Sequence, residues 1–138
     1  MPSYRHTAQV RFGDVDHAGI VYYPHFFIYF HEAMESFFDD NGPQRYAELL
    51  DTRRIGFPTV HIETDFSAPL TYGDFLDLDA TVAKIGRSSM VWAYRGTRRS
   101  DGKLAVVARI TVACVSMDEF VSIAIPDDVR AVLERFAS

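Results

Sequence analysis

One long helix with a broad apolar face constrains the fold of this chain most strongly. Residues 24–40 open with Pro24, whose fixed φ suits the first turn of a helix, and Gly42 and Pro43 follow as a stop signal. On a 3.6-residue helical wheel the apolar side chains fill an arc of about 140°, with Glu32, Glu35 and Asp39 opposite. The apolar residues of this arc are Phe26, Phe27, Phe30, Ala33, Met34, Phe37 and Phe38. A face with five phenylalanines must be buried against a broad surface.

Most of the remaining chain shows the alternation of apolar and polar residues that is typical of β-strands. The pattern predicts strands over residues 4–11, 59–66, 75–85, 88–98 and 104–117, and shorter helices over 44–50 and 127–136. The sequence therefore predicts an α+β fold in which one curved antiparallel β-sheet wraps around a long central α-helix. Residues 106–115 are apolar on both faces, which indicates a strand covered on both sides. Because one helix covers only one face of a sheet, we also expect an oligomer.

Composition and charge limit the classes of function. The chain has 138 residues, which predicts a single domain over 1–138. A net charge of −5 without a basic cluster argues against a nucleic-acid partner. No apolar run approaches the roughly 18 residues that a membrane span requires, and we expect a cytoplasmic protein. Cys114 lies in an apolar run and is expected to be an inert buried thiol.

A loop with two acidic residues leads directly into the long helix. Asp14 and Asp16 precede Gly19 and Pro24, and a helix N-terminus offers unpaired N–H groups that suit a developing oxyanion. A carboxylate just upstream could attack a carbonyl held there, or activate water to attack it. The sequence contains no serine-hydrolase elbow, P-loop, dinucleotide fingerprint or metal-ligand spacing. This pattern favours an ester or thioester hydrolase that uses neither a metal nor a cofactor.

The loop sequence FGDVDHAGIVYYP at residues 12–24 resembles the signature of a known family. It is similar to the motif F/Y-x-D-x-D-x-A-G-(I/V)-V of the hot-dog fold acyl-CoA thioesterases, in the 4-hydroxybenzoyl-CoA thioesterase-like branch. Weaker similarities follow in the same order along the chain at residues 57–58, 72–74 and 86–89. The resemblance implies the hot-dog fold and hydrolysis of a small aromatic or short-chain acyl-CoA to the free acid and CoA. It also implies a homo-oligomer, a dimer at least and a tetramer at most, because the site of relatives lies between two subunits.

The resemblance also implies roles for individual residues. Asp16 matches the catalytic carboxylate, as nucleophile or general base, and the backbone N–H of Tyr23 matches the group that polarises the thioester carbonyl. The remaining substrate-binding positions that it implies are His17, Gly19, Val21, Tyr22, His25, Arg87, Ser88 and Ser89. The last three would lie along the pantetheine arm or near the nucleotide. This chain departs from its relatives at His25, where they often carry Asn.

Three alternatives stay open at the level of the sequence. A hot-dog dehydratase or hydratase would use a histidine beside an acid, and His17 and His25 flank Asp16. A non-catalytic acyl-CoA-binding module would bind the same ligands without turnover. Glu32, Glu35 and Asp39 resemble a solvated helix face, although another branch of hot-dog thioesterases uses a helix-borne carboxylate.

Overall fold

The structure is a computed structural model that describes residues 2–138. Its long helix α1 spans His25–Asn41, and two shorter helices are α2 (Tyr46–Asp51) and α3 (Asp127–Glu134). The strands in chain order are β1 (Tyr4–Gln9), β2 (Ile55–Gly56), β3 (Thr59–Phe66), β4 (Phe75–Ile85), β5 (Ser89–Arg98), β6 (Leu104–Ala113) and β7 (Val115–Ser116). In the described chain no helix is long and apolar enough to cross a membrane.

Five strands form one antiparallel sheet in the order β1-β4-β5-β6-β3. The β5–β6 connection turns at Gly102, whose φ of 72° lies in the left-handed region that favours glycine. β2 and β7 make a separate two-stranded ribbon. The sheet order leaves β1 and β3 as the two edges, and this position of β3 matters for the site and the assembly.

The apolar face of α1 packs on the concave side of this sheet, as predicted. Phe37 is fully buried at the centre, with its ring 4.9 Å from Trp92 and 5.0 Å from Phe136 between centroids. Tyr29 is also buried on this side, whereas Phe27 is only partly buried. The predicted α+β fold with one curved sheet around a long helix is therefore confirmed.

Two predicted features of the strands are wrong. The strand predicted over 104–117 is interrupted at Cys114, whose N–H donates to Ser88 O at 2.8 Å, and the chain then pairs with β2 as β7. β6 is also not covered on both sides, because Arg109 is exposed on its outer face in the single chain. β-Branched residues are frequent on both faces of a strand, so a two-sided apolar run does not by itself report burial.

Candidate active site

The acidic loop folds tightly onto itself. Asp16 N–H donates to Ile20 O at 3.0 Å, and Gly19 N–H donates to Asp16 O at 2.9 Å. Gly19 has a φ of 80°, a conformation that a side chain would strain. Val21 N–H donates to Leu70 O at 2.9 Å, which fixes the loop against the segment between β3 and β4. The loop is thus a defined structure and not a flexible connection.

The two acidic residues of the loop have different environments. The Asp14 carboxylate accepts hydrogen bonds from Arg11 N–H and the Tyr29 hydroxyl, both at 2.8 Å, and lies 3.3 Å from His25 Nδ1. Asp16 is exposed, and its Oδ1 accepts a hydrogen bond from Ala18 N–H at 2.8 Å. Within residues 2–138 its other carboxylate oxygen accepts none. Asp14 is therefore occupied in holding the loop to α1, whereas Asp16 has an oxygen available for chemistry.

The start of α1 offers one unpaired backbone donor. The N–H groups of His25, Phe26 and Phe27 donate to the carbonyls of the three residues that precede α1, at 2.8, 3.1 and 3.1 Å. Pro24 has no N–H. The Tyr23 N–H has no hydrogen-bond acceptor within the described chain. This N–H is the group at the helix start that could bind an oxyanion, in the positive end of the helix dipole.

An apolar groove of about 290 Å³ lies beside this donor. The rings of Phe26 and Phe66 meet there edge to face with centroids 5.1 Å apart, which joins α1 to β3. The residues that line the groove include Ile20, Val21, Tyr23, Phe26, Phe66 and Leu70. A groove of this size can hold a small acyl group while its carbonyl points toward the helix start.

The other predicted residues of the loop surround this centre in different ways. Val21 is buried in the groove wall, and the Tyr22 ring packs 5.5 Å from Tyr23 and 6.3 Å from His25 between centroids. His17 is exposed on the loop next to Asp16. His25 faces Asp14, so the histidine and acid that the structure brings together do not include Asp16.

Arg87, Ser88 and Ser89 lie away from this centre within one chain. They follow the end of β4, whereas Phe75 at its beginning adjoins the acidic loop through the bond from Val10 N–H to Asp74 O at 2.9 Å. The eleven residues of β4 extend for about 35 Å. The turn instead contacts α3, since the Arg130 guanidinium donates to Gly86 O at 2.7 Å. Its predicted role in binding CoA therefore requires a second copy of the chain.

Two residues of the site were absent from the sequence-based list. Tyr29 holds Asp14, and its position three residues after Phe26 and four before Ala33 places it beside the apolar face of α1. Helical spacing could therefore have identified it as buried. Phe66 was expected on the apolar face of β3, but only the sheet order places it against Phe26.

Known proteins share both the sequence pattern and the fold of this chain. Residues 10–133 match the family model described as the Thioesterase-like superfamily. A 1,4-dihydroxy-2-naphthoyl-CoA hydrolase of Synechococcus elongatus is 32% identical over 95 residues, which cover 69% of this chain and 70% of that protein.

Two crystal structures show the same similarity in three dimensions. A thioesterase superfamily protein of Jannaschia sp. CCS1 superposes with a TM-score of 0.89 at 28% identity, over 99% of this chain and 94% of that chain. A gentisyl-coenzyme A thioesterase superposes with a TM-score of 0.84 at 26% identity, over 94% and 98%. With the family match spanning the acidic loop, the whole sheet and most of α3, this chain belongs to the thioesterase-like superfamily, and its predicted hot-dog fold and class, acyl-CoA thioester hydrolase, are confirmed.

Proposed function

We propose that this protein hydrolyses a small aromatic or short-chain acyl-CoA, with Asp16 as the catalytic carboxylate and Tyr23 N–H as the oxyanion donor. The observation that carries the proposal is the unpaired Tyr23 N–H beside an apolar groove, next to an exposed carboxylate with an available oxygen. The names of its relatives, a dihydroxynaphthoyl-CoA hydrolase and a gentisyl-CoA thioesterase, support the aromatic acyl class.

The site allows two routes to the same products. In one, an Asp16 oxygen attacks the thioester carbon, the carbonyl electrons move to the oxygen at Tyr23 N–H, and CoA leaves as the thiolate. Water then hydrolyses the acyl-aspartate anhydride to the free acid. In the other, Asp16 takes a proton from a water molecule that attacks the thioester directly. Both routes consume one water and release one acid and one CoA thiol.

The test is thiol release from a panel of acyl-CoA esters, comparing the wild type with Asp16→Asn. The panel contains acetyl, hexanoyl, palmitoyl, benzoyl, hydroxybenzoyl and phenylacetyl esters. We expect the fastest turnover with the small esters and a loss of at least about 100-fold in kcat for Asp16→Asn. Asp51→Asn is the matched control, because Asp51 is exposed at the end of α2 and should keep full activity.

Other results of the same assay would contradict the proposal. Equal kcat values for Asp16→Asn and the wild type would exclude Asp16 as the catalytic carboxylate. Turnover of an enoyl-CoA without thiol release would identify a hydratase. Binding of CoA esters without any turnover would identify a binding module. Single turnover in ¹⁸O-water separates the two routes, because only the anhydride route can place the label in the Asp16 carboxylate.

We further propose that the protein works as a cytoplasmic homo-oligomer, with a dimer as the minimum unit and a homotetramer as the larger form. β3 pairs only with β6, and Val60, Ile62 and Phe66 on one of its faces are 62%, 37% and 45% exposed. An apolar edge strand of this kind is normally covered, and a second copy could extend the sheet through it. A second copy would also supply the turn at Arg87 that one chain holds far from Asp16.

Light scattering after gel filtration tests this assembly. We expect a mass of two or four times the 15.7 kDa of one chain, and we expect Val60→Lys to reduce it to that of one chain. Ala47→Lys on the exposed side of α2 is the control and should leave the mass unchanged. A monomeric wild type at micromolar concentration would contradict the proposal.

A further inference from the structure

A small cavity lies behind the site, between α1 and the sheet. Its volume is about 80 Å³, and its wall includes Phe27, Phe30, Ile62, Trp92 and Tyr94. Phe27 follows Phe26 of the groove along α1, and Ile62 lies on the same face of β3 as Phe66. The cavity and the groove therefore follow one another along the same seam between α1 and β3.

Trp92 brings an unpaired polar group to this cavity. The side chain is fully buried, and its Nε1–H has no hydrogen-bond partner within residues 2–138. An indole N–H can only donate, and buried donors in native proteins nearly always have an acceptor. An acceptor oxygen from a bound molecule would satisfy this group.

The distance from the helix start suits the far end of an acyl group. Seven residues of α1 separate Tyr23 from Phe30, which corresponds to about 10 Å along the helix axis. An acyl group with its carbonyl at Tyr23 N–H would thus fill the groove with its body and reach the cavity with its end. At about 80 Å³ the cavity has room for the edge of a ring and one oxygen substituent.

We infer that Trp92 Nε1–H is a specificity-determining donor that binds an acceptor oxygen at the far end of the acyl group. This inference rests on the proposed function, because it takes the position of the thioester carbonyl from Tyr23. An acyl group with a hydroxyl or keto oxygen at its end gains the hydrogen bond. A hydrocarbon acyl group of the same shape leaves the indole N–H unpaired and binds less tightly.

The protein carries its own probe for this contact, because Trp92 is its one tryptophan. The ligands are the CoA thioethers 4-hydroxyphenacyl-CoA and 4-methylphenacyl-CoA, which have similar shapes and cannot be hydrolysed. We expect the hydroxyl ligand to shift the emission of Trp92 to longer wavelength and to bind about tenfold more tightly than the methyl ligand. Equal emission spectra and equal affinities for the two ligands would overturn the inference.

Two variants identify the donor. In Trp92→Phe the ratio of the two affinities should fall to about one, because the ring remains and the donor is removed. Tyr94→Phe is the matched control, since it removes the neighbouring hydroxyl and should keep both the ratio and the emission shift. A ratio that survives in Trp92→Phe, or that is lost only in Tyr94→Phe, would overturn the inference. Where Trp92→Phe does not fold, the emission shift of the wild type decides.

The outcome is separable from that of the proposed function. Thioether binding requires no turnover, so it does not depend on the chemistry of Asp16. Normal thiol release together with equal binding of both thioethers would refute the role of Trp92 alone. Absence of thiol release from every acyl-CoA would refute the proposed hydrolysis, and the preference for the hydroxyl ligand would still test the Trp92 contact.

Discussion

The hydrogen bond from the Tyr29 hydroxyl to Asp14 makes a quantitative prediction about the acidic loop. The hydroxyl donates to Asp14 Oδ2 at 2.8 Å, and the same oxygen accepts Arg11 N–H. Burial raises the pKa of Tyr29 well above its ordinary value, and the Asp14 carboxylate raises it further. The hydroxyl is therefore a donor throughout the physiological pH range. Tyr29→Phe removes this donor and leaves the buried ring in place.

The expected loss of stability follows from the charge and exposure of the acceptor. A hydrogen bond to an ionised group contributes about 1.5–3 kcal/mol. Because the Asp14 side chain is 19% exposed, water can partly replace the missing donor. We expect Tyr29→Phe to lower the free energy of unfolding by about 1–2 kcal/mol, and Tm by about 3–8 °C.

Tyr46→Phe is the matched control for this prediction. Tyr46 is also a buried tyrosine, and burial, with a smaller contribution from the charge of Glu35, raises its pKa to about 12. Its hydroxyl is not paired with a carboxylate, so we expect a change in unfolding free energy within about 0.5 kcal/mol. Urea unfolding of both variants measures the two values.

A double-mutant cycle of Tyr29→Phe with Asp14→Ala tests the reasoning directly. Two residues joined by this hydrogen bond should show a coupling energy of about 1 kcal/mol or more. If Asp14 holds the loop that carries Asp16, kcat for thiol release should fall in Tyr29→Phe while KM changes little. A coupling energy below about 0.3 kcal/mol, or equal losses of stability in Tyr29→Phe and Tyr46→Phe, would refute this role.

Two further predictions concern the pH dependence of stability and the single thiol. The Arg99 guanidinium, with help from Thr7, holds the pKa of Asp77 below its ordinary value, so the ionised pair stabilises the fold at neutral pH and this contribution is lost as pH falls through the folded-state pKa. Asp77→Asn should therefore cost about 1–3 kcal/mol in urea unfolding at pH 7, with a smaller difference from the wild type below about pH 4, whereas an equal difference at both pH values would contradict the role of the charge. Burial raises the pKa of Cys114 to about 11, so a thiol-reactive disulfide reagent at pH 8 should label this residue only in denaturant, and rapid labelling of the native protein would contradict this.

The local elements of this protein were largely predictable, and particular residues show why. The bounds of β3 and β4 agree with the prediction, because strict alternation within each segment fixes the two faces of a strand. α1 agrees to within one residue at each end, because Pro24 begins it and Gly42 ends it. Tyr29 was missed because the prediction counted the apolar residues of the helix wheel and left out a tyrosine that lies beside them.

The candidate site was predictable in its loop and not in its surroundings. The spacing of Asp14, Asp16 and Gly19 indicated a catalytic loop, and both Asp16 and Tyr23 stay predictions until activity is measured. That Asp14 is occupied by Arg11 and Tyr29 depends on how the loop folds back onto α1. The position of Arg87 far from Asp16 depends on the length and direction of β4, which become informative only when the loop and the strand have been placed together.

The sequence by itself determined the elements, the apolar face of α1 and the position of the acidic loop before it. These features depend on contacts between residues close in the chain, where turn residues, helical spacing and strand alternation carry the information. Only the tertiary structure decided the sheet order, the exposed edge at β3, the break at Cys114 and the cavity beside Trp92. Alternation tells which side of a strand is buried but not which strand lies beside it, because that choice depends on how the whole core packs.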